Sequence, residues 1–277
     1  MDSGFKGAKR ASLNFSVQGT GRPVFLLHGL ASSLHEWDLL APFLNKAGWQ
    51  TYACDLLDHG DSSREADPRC CNLEVVYANL AAWIEGLGLK EPGILVGHSL
   101  GGYLSLKLAL DFSSWINGLV LIDPLFSPQQ IPGLIRQTPK MLGMGQRILH
   151  ILPEKVIEPV ISLSLGPHNH FLARFRRQKA HDLLRAAPRI MDLVLGVEEL
   201  SPRLGQVRQP VLVIWGGKDQ LLAPKFYPKL VEILPEARGY PLEGCGHHPH
   251  LENAEKVNAV ILEFLEAQEK TEPANIR

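Results

Sequence analysis

Cysteine is scarce in this chain, and its placement does not suit a disulfide framework. Four cysteines occur in 277 residues, at Cys54, Cys70, Cys71 and Cys245. Two are adjacent, and no Cys-x-x-Cys spacing suggests a zinc site. The expectation is reduced thiols in a cytoplasmic protein. Charge of one sign is lacking too: 28 Lys+Arg against 29 Asp+Glu leave a net charge of -1. That balance excludes the strongly basic class of nucleic-acid binders. No apolar run approaches a membrane span; the longest, such as residues 118–122, are strand-sized, so stable membrane insertion is not expected. Residues 1–10 are polar and basic and lead into no apolar segment, so no secretory signal is read there.

What the chain does contain is apolar material in short, regularly spaced runs. Hydrophobic residues make up 45% and charged residues 21%, enough to bury a substantial core. The length suits one large domain carrying an insertion. Val24-Phe25-Leu26-Leu27 follows Pro23 and breaks at His28-Gly29. Further runs cover residues 50–54, 93–96, 118–122 and 211–215, each bounded by Gly, Asp or Pro. A late run covers residues 237–242. Residues 12–17 alternate polar and apolar, as an antiparallel edge strand does. Helical spacing appears over 72–87, 99–112, 225–234 and 253–267. Alternation of short strands with longer helices predicts an α/β fold with a mainly parallel sheet and flanking helices.

The rhythm stops between Asp123 and Pro210. Residues 124–208 are proline-rich, have no convincing strand, and include helical fragments such as 171–184. They are expected to form a helical insertion between two strands, dividing the core into residues 1–123 and 209–277. Basic residues concentrate at 174–189, and the favoured reading is a solvated basic face. Leu125, Phe126, Leu142, Met144, Leu163 and Leu165 are candidates to line an acyl pocket or to form the insertion's own core.

Gly97-His98-Ser99-Leu100-Gly101-Gly102 matches G-x-S-x-G. As a bare pattern it is weak; its context is a Gly-Ile-Leu-Val strand before it and a Leu-rich helix after it. Such a turn forces the serine into a strained backbone conformation and raises its hydroxyl above the sheet, at a helix N-terminus. A serine needs a base to take its proton. Among eleven histidines, His247 follows Gly244-Cys245-Gly246 on a loop after the last strand; His248 and His250 are compositional rivals, with His248 the reserve. The orienting acid is expected at Asp219, on the loop after the 211–215 run, in the chain order Ser, Asp, His. Asp123 is the rival acid. Oxyanion donors are expected from the backbone N–H groups of Leu100 and of Leu30, after His28-Gly29. His28 is read as a supporting turn residue and Asp55 as the organiser of its own loop.

Taken together, His28-Gly29, Asp55 through Ser62, Gly97 through Gly102, Trp215 through Asp219 and Gly246 through Glu252 resemble the α/β-hydrolase fold family, in particular its capped esterase, lipase and C–C hydrolase branch. The resemblance implies Ser99, Asp219 and His247 as triad, Leu30 and Leu100 as oxyanion donors, and the insertion as a lid. One departure is Asp58, where relatives usually carry glycine. The family's dehalogenases and epoxide hydrolases use aspartate at the elbow, and Ser99 argues against both. The expected activity is hydrolysis of a small apolar acyl or aryl ester by a monomer or homodimer without metal or organic cofactor. Alternatives are C–C hydrolysis of a ring-fission diketone, cofactor-free perhydrolysis, and, in a different class, a ligand receptor built on a triad pocket.

Overall fold

Seven strands form one sheet in the computed structural model, which describes residues 12–64, 72–131, 173–187 and 190–271. The strands are β1 (Phe15–Gln18), β2 (Pro23–Leu27), β3 (Gln50–Cys54), β4 (Gly93–His98), β5 (Ile116–Ile122), β6 (Val211–Gly216) and β7 (Ala237–Leu242). Their order is β1-β3-β2-β4-β5-β6-β7; β1 pairs antiparallel with β3 at the edge, and every other pairing is parallel. The described helices are α1 (Ala41–Lys46), α2 (Leu73–Gly86), α3 (Leu100–Asp111), α4 (Ala173–Arg185), α5 (Tyr227–Ile233), α6 (Pro249–Glu252) and α7 (Ala254–Thr271).

The central strands read as unbroken apolar runs because both faces of the sheet are covered. Side chains alternate between the faces. Phe25, Leu27, Leu95, Leu119, Leu121 and Val213 pack with Leu80 of α2, Tyr103 of α3 and Tyr227 of α5. Their neighbours Val24, Leu26, Ile94, Val96, Val120 and Ile214 pack with Leu44 of α1 and with Val257 and Ile261 of α7. Moving any of these strands by one residue would exchange the two cores, so the register is fixed by packing.

A parallel sheet presents its strand C-termini at one rim, and a ligand crevice opens where the strand order reverses. Here β3 lies on one side of β2 and β4 on the other. The reversal therefore sits between the turn after β2 and the turn after β4, which carry Leu30 and Ser99. Asp123, Asp219 and His247 follow β5, β6 and β7 at the same rim.

Candidate active site

Ser99 is the residue between β4 and α3, and its backbone lies at φ 51° and ψ −112°. A non-glycine residue in the left-handed region is strained and stays there only under restraint. Here the Ser99 N–H donates to the Ile122 carbonyl at 2.9 Å, and the Ser99 carbonyl accepts from Tyr103 and Leu125 at 3.1 Å each. Two glycines let the helix come this close. A Cβ on Gly97 would stand 2.4 Å from the Gly101 carbonyl oxygen, and one on Gly101 would stand 2.0 Å from the Leu27 carbonyl oxygen.

His247 Nδ1 and Asp219 Oδ2 are 2.7 Å apart, with both side chains buried. Asp219 Oδ1 accepts from the N–H groups of Leu221 at 2.7 Å and Leu222 at 3.0 Å. Burial works to raise the Asp219 carboxyl, but His247 and these two N–H groups hold it below the usual carboxylate range. The His247 loop is drawn to the nucleophile strand by a hydrogen bond from His98 Nε2 to the His247 carbonyl, 2.8 Å. Ser99 and His247 line one cavity of about 260 Å³, together with Leu30, Leu125 and Leu222. Leu100 is the first residue of α3, where the helix leaves backbone N–H groups unpaired.

This geometry sits within a sequence that matches the family model described as "alpha/beta hydrolase fold" over residues 22–254. The chain belongs to the α/β-hydrolase fold family. It is similar to a 2-hydroxy-6-oxo-6-phenylhexa-2,4-dienoate hydrolase of Burkholderia cepacia, 23% identical, covering 94% of this chain and 93% of that one. It is also similar to Lipase 1 of Psychrobacter immobilis, 26% identical over 84% of this chain and 73% of that one. Among solved structures, a thermophilic esterase from Thermogutta terrifontis superposes with a TM-score of 0.81 at 23% identity, covering 93% of this chain and 94% of that one.

Around Ser99, Asp219 and His247, the rival residues have other surroundings. Asp123 lies between the strands of Ser99 and Asp219, fully buried at φ 40°. Its Oδ1 accepts from the Gly216 N–H at 3.0 Å, while its Oδ2 has no hydrogen-bond partner among the described residues. Burial raises its carboxyl well above the ordinary range, and the neighbouring Asp219 carboxylate adds to the rise. His248 lines the cavity with no hydrogen-bond partner at Nδ1 among the described residues, and burial keeps it neutral. His250 points away from Ser99, to Glu36 Oε1 at 3.0 Å.

The supporting loops follow the sequence expectation. His28 Nε2 accepts from the Leu56 N–H at 3.0 Å, which leaves Nδ1 to donate to the Gly29 carbonyl at 2.7 Å. Asp55 organises its loop by accepting from Leu34, Asp61 and Asn14 at 2.7–2.8 Å. Asp58 sits at φ 66°. That explains why a glycine or an aspartate can stand there, since Asp and Asn tolerate left-handed backbone better than other side chains. Cys54 and Cys245 are free and buried. Burial raises both thiols, that of Cys245 to about 11, so neither is a reactive thiolate. Cys70 and Cys71 lie outside the described residues, as do Leu142, Met144, Leu163 and Leu165.

One expectation for the insertion is corrected. The basic run was read as a solvated face, and Arg177 and Arg185 are exposed. Lys179, one turn along from the buried Phe175, instead points into the protein, donating to Ser32 Oγ at 2.7 Å and to Glu36 Oε2 at 2.9 Å. Asp182, on the same face, accepts from Ser33 Oγ at 2.9 Å. A buried carboxylate partner outweighs the solvation that an isolated lysine would keep.

Glu36 itself was not singled out from sequence. Nothing in Leu34-His35-Glu36-Trp37 distinguishes a buried acid from an exposed one, because its side-chain partners His98, Lys179 and His250 are 62, 143 and 214 positions away. Among the described residues, two triples of side chains bring possible ligand atoms within 4.8 Å of one another: Glu36, His98 and His248, and Asp123, Asp219 and His247. The first faces the Lys179 ammonium, which competes with a cation for the same carboxylate, and the second is held by the His247–Asp219 hydrogen bond.

Proposed function

We propose that this chain hydrolyses small carboxylic esters through an acyl-enzyme on Ser99. His247 takes the Ser99 proton as the hydroxyl attacks the carbonyl carbon, and gives it to the departing alcohol. Water activated by His247 then releases the acid. Asp219 orients His247 and stabilises its charged form, and the N–H groups of Leu30 and Leu100 receive the oxyanion. The observation that carries this reading is the 2.7 Å His247–Asp219 contact in the same cavity as a strained Ser99.

The cavity supports an apolar acyl or aryl group: Leu30, Leu125, Leu183, Met191, Val194 and Leu222 form much of its wall. Residues 124–208 act as the lid in this reading, since Lys179, Leu183, Met191 and Val194 reach the cavity from that segment. The test is turnover of short-chain p-nitrophenyl esters by wild type and Ser99→Ala, with the fluorophosphonate adduct mapped by mass spectrometry. A loss of about 10⁴-fold or more in kcat and an adduct on Ser99 are expected. Equal turnover by both proteins ends the proposal.

A second reading uses the same three residues to cleave a C–C bond in a ring-fission diketone. The similarity to a dienoate hydrolase along 93% of that relative's length favours including it. Direct assay with the phenyl-substituted dienoate, followed by loss of its absorbance, separates the two reactions.

A further inference from the structure

One buried carboxylate lies where four segments of the site meet. Glu36 stands in the turn after β2, and its side chain has no solvent exposure. Oε2 accepts from the Gly29 N–H at 3.3 Å and from Lys179 Nζ at 2.9 Å. Oε1 accepts from His250 Nε2 at 3.0 Å and touches His98 Nδ1. Gly29 precedes the oxyanion donor Leu30, and His98 precedes the nucleophile. His250 stands on α6, directly after the base loop, and Lys179 comes from α4 in the insertion.

The contacts continue outward on both sides. Lys179 also donates to Ser32 Oγ at 2.7 Å, so the turn from Gly29 to Ser32 is gripped at both ends. Between the grips Ala31 sits at φ 52°, a strained conformation that needs such restraint. Leu30, whose N–H must aim at the oxyanion, is its neighbour. On the other side His98 Nε2 holds the carbonyl of His247 itself, at 2.8 Å.

We propose that Glu36 is the positioning residue of this site, its carboxylate tying the oxyanion turn, the nucleophile strand and the base loop to Lys179 of the insertion. Docking of α4 is thereby coupled to the aim of the Leu30 N–H and of the His247 ring. The proposal rests on the reading of Ser99, His247 and Asp219 as catalytic. Its chemistry is consistent with the state of the group: burial would raise the Glu36 carboxyl, but Lys179, then His98 and His250, hold it well below the usual range, so it is an anion that accepts from Lys179, Gly29 and His250. A carboxylate kept only for stability would not need partners from the oxyanion turn, the nucleophile strand and the segment after the base together.

The test uses Glu36→Gln, which keeps the shape and loses the charge, together with Lys179→Met and Lys179→Arg. A small misaiming of catalytic groups costs up to about 100-fold in rate. Glu36→Gln is therefore expected to lower kcat on a p-nitrophenyl ester by about 10- to 100-fold, with KM changed less than threefold. Affinity for butylboronic acid, which mimics the tetrahedral adduct, should fall by the same factor as kcat/KM. Lys179→Met should show the same split, and Lys179→Arg should recover at least half of that loss on a logarithmic scale.

A folded Glu36→Gln protein with kcat within twofold of wild type overturns the proposal, as does a loss carried by KM alone. Should Glu36→Gln fail to fold, the comparison of Lys179→Met with Lys179→Arg decides in the same way. Ester turnover that survives Ser99→Ala defeats the catalytic reading itself. Turnover that depends on Ser99 but ignores Glu36 and Lys179 defeats only the positioning role.

Discussion

At the scale of single residues, two carboxylates beside one histidine have been driven apart by their surroundings. Asp219 receives two backbone N–H groups and faces His247, so it stays ionised. Asp123 has one N–H partner and an anion for a neighbour, so it holds its proton well above the ordinary range. The acid that orients an imidazole must be the ionised one, because it stabilises the imidazolium formed as the base works. Asp219→Asn is expected to lower kcat by up to about 10⁴-fold, as loss of the orienting charge does in other triads. Asp123→Asn should act on stability instead. A carboxyl whose folded pKa is raised costs folding energy once the pH exceeds its unfolded value near 3.9, and an amide carries no such cost. Urea unfolding should therefore show Asp123→Asn more stable than wild type by about 1 kcal/mol at pH 7. The gain should vanish as the pH falls below 4. Large loss of kcat in Asp123→Asn, with little in Asp219→Asn, would reverse the two roles.

At the scale of elements, the tightest constraint is the approach of α3 to β2. A methyl on Gly101 would meet the Leu27 carbonyl at 2.0 Å, and backbone on both sides leaves nothing flexible to yield. Gly101→Ala must push α3 away and carry Ser99 with it. A loss of about 1–3 kcal/mol in thermal unfolding is expected, as for other overpacked contacts, with slower fluorophosphonate labelling. Unchanged labelling in the folded variant would show that the elbow does not depend on this contact. The same elements show what was readable in the chain. Strands buried on both faces announce themselves as Val-, Ile- and Leu-rich runs, so β2, β4, β5 and β6 were legible to within two residues at either end. The side chain of Asn72, which accepts from the Val75 N–H at 3.0 Å, marks the start of α2 as a cap should. Helix α1 was not legible, since six residues opening on Ala41-Pro42 show less than two turns of any pattern. The convergence of Ser99, Asp219 and His247 was legible because each follows a strand in a fixed order. Glu36 and the inward turn of Lys179 were not, because burial of a charge is decided by partners distant in sequence.

At the scale of the whole molecule, formal charges nearly cancel, and the polar groups that shape the site are imidazoles held neutral by burial. His28, His59, His248 and His250 are all pushed below the ordinary histidine range by loss of solvent, His59 and His248 furthest. A histidine whose folded pKa is depressed binds fewer protons than it does unfolded, throughout the window between the two values. Stability therefore falls as the pH drops below about 6.5, and keeps falling until the folded pKa is reached. His98, which burial holds at about 3, alone removes about 2 kcal/mol at pH 5 relative to pH 8, and His59 and His248 add to that loss. Glu36 acts in a lower window: its depressed carboxyl stabilises the fold above about 4.5, and that contribution is lost as the pH falls further. The two windows predict a urea midpoint that declines from pH 6.5 and drops again below pH 4.5. His248→Gln should make the upper decline shallower, since a neutral amide has no proton to gain. Unfolding free energies at pH 5 and pH 8 that agree within about 1 kcal/mol would mean that these imidazoles are already hydrated, and the picture of a dry, neutral histidine cluster behind Ser99 would have to be abandoned.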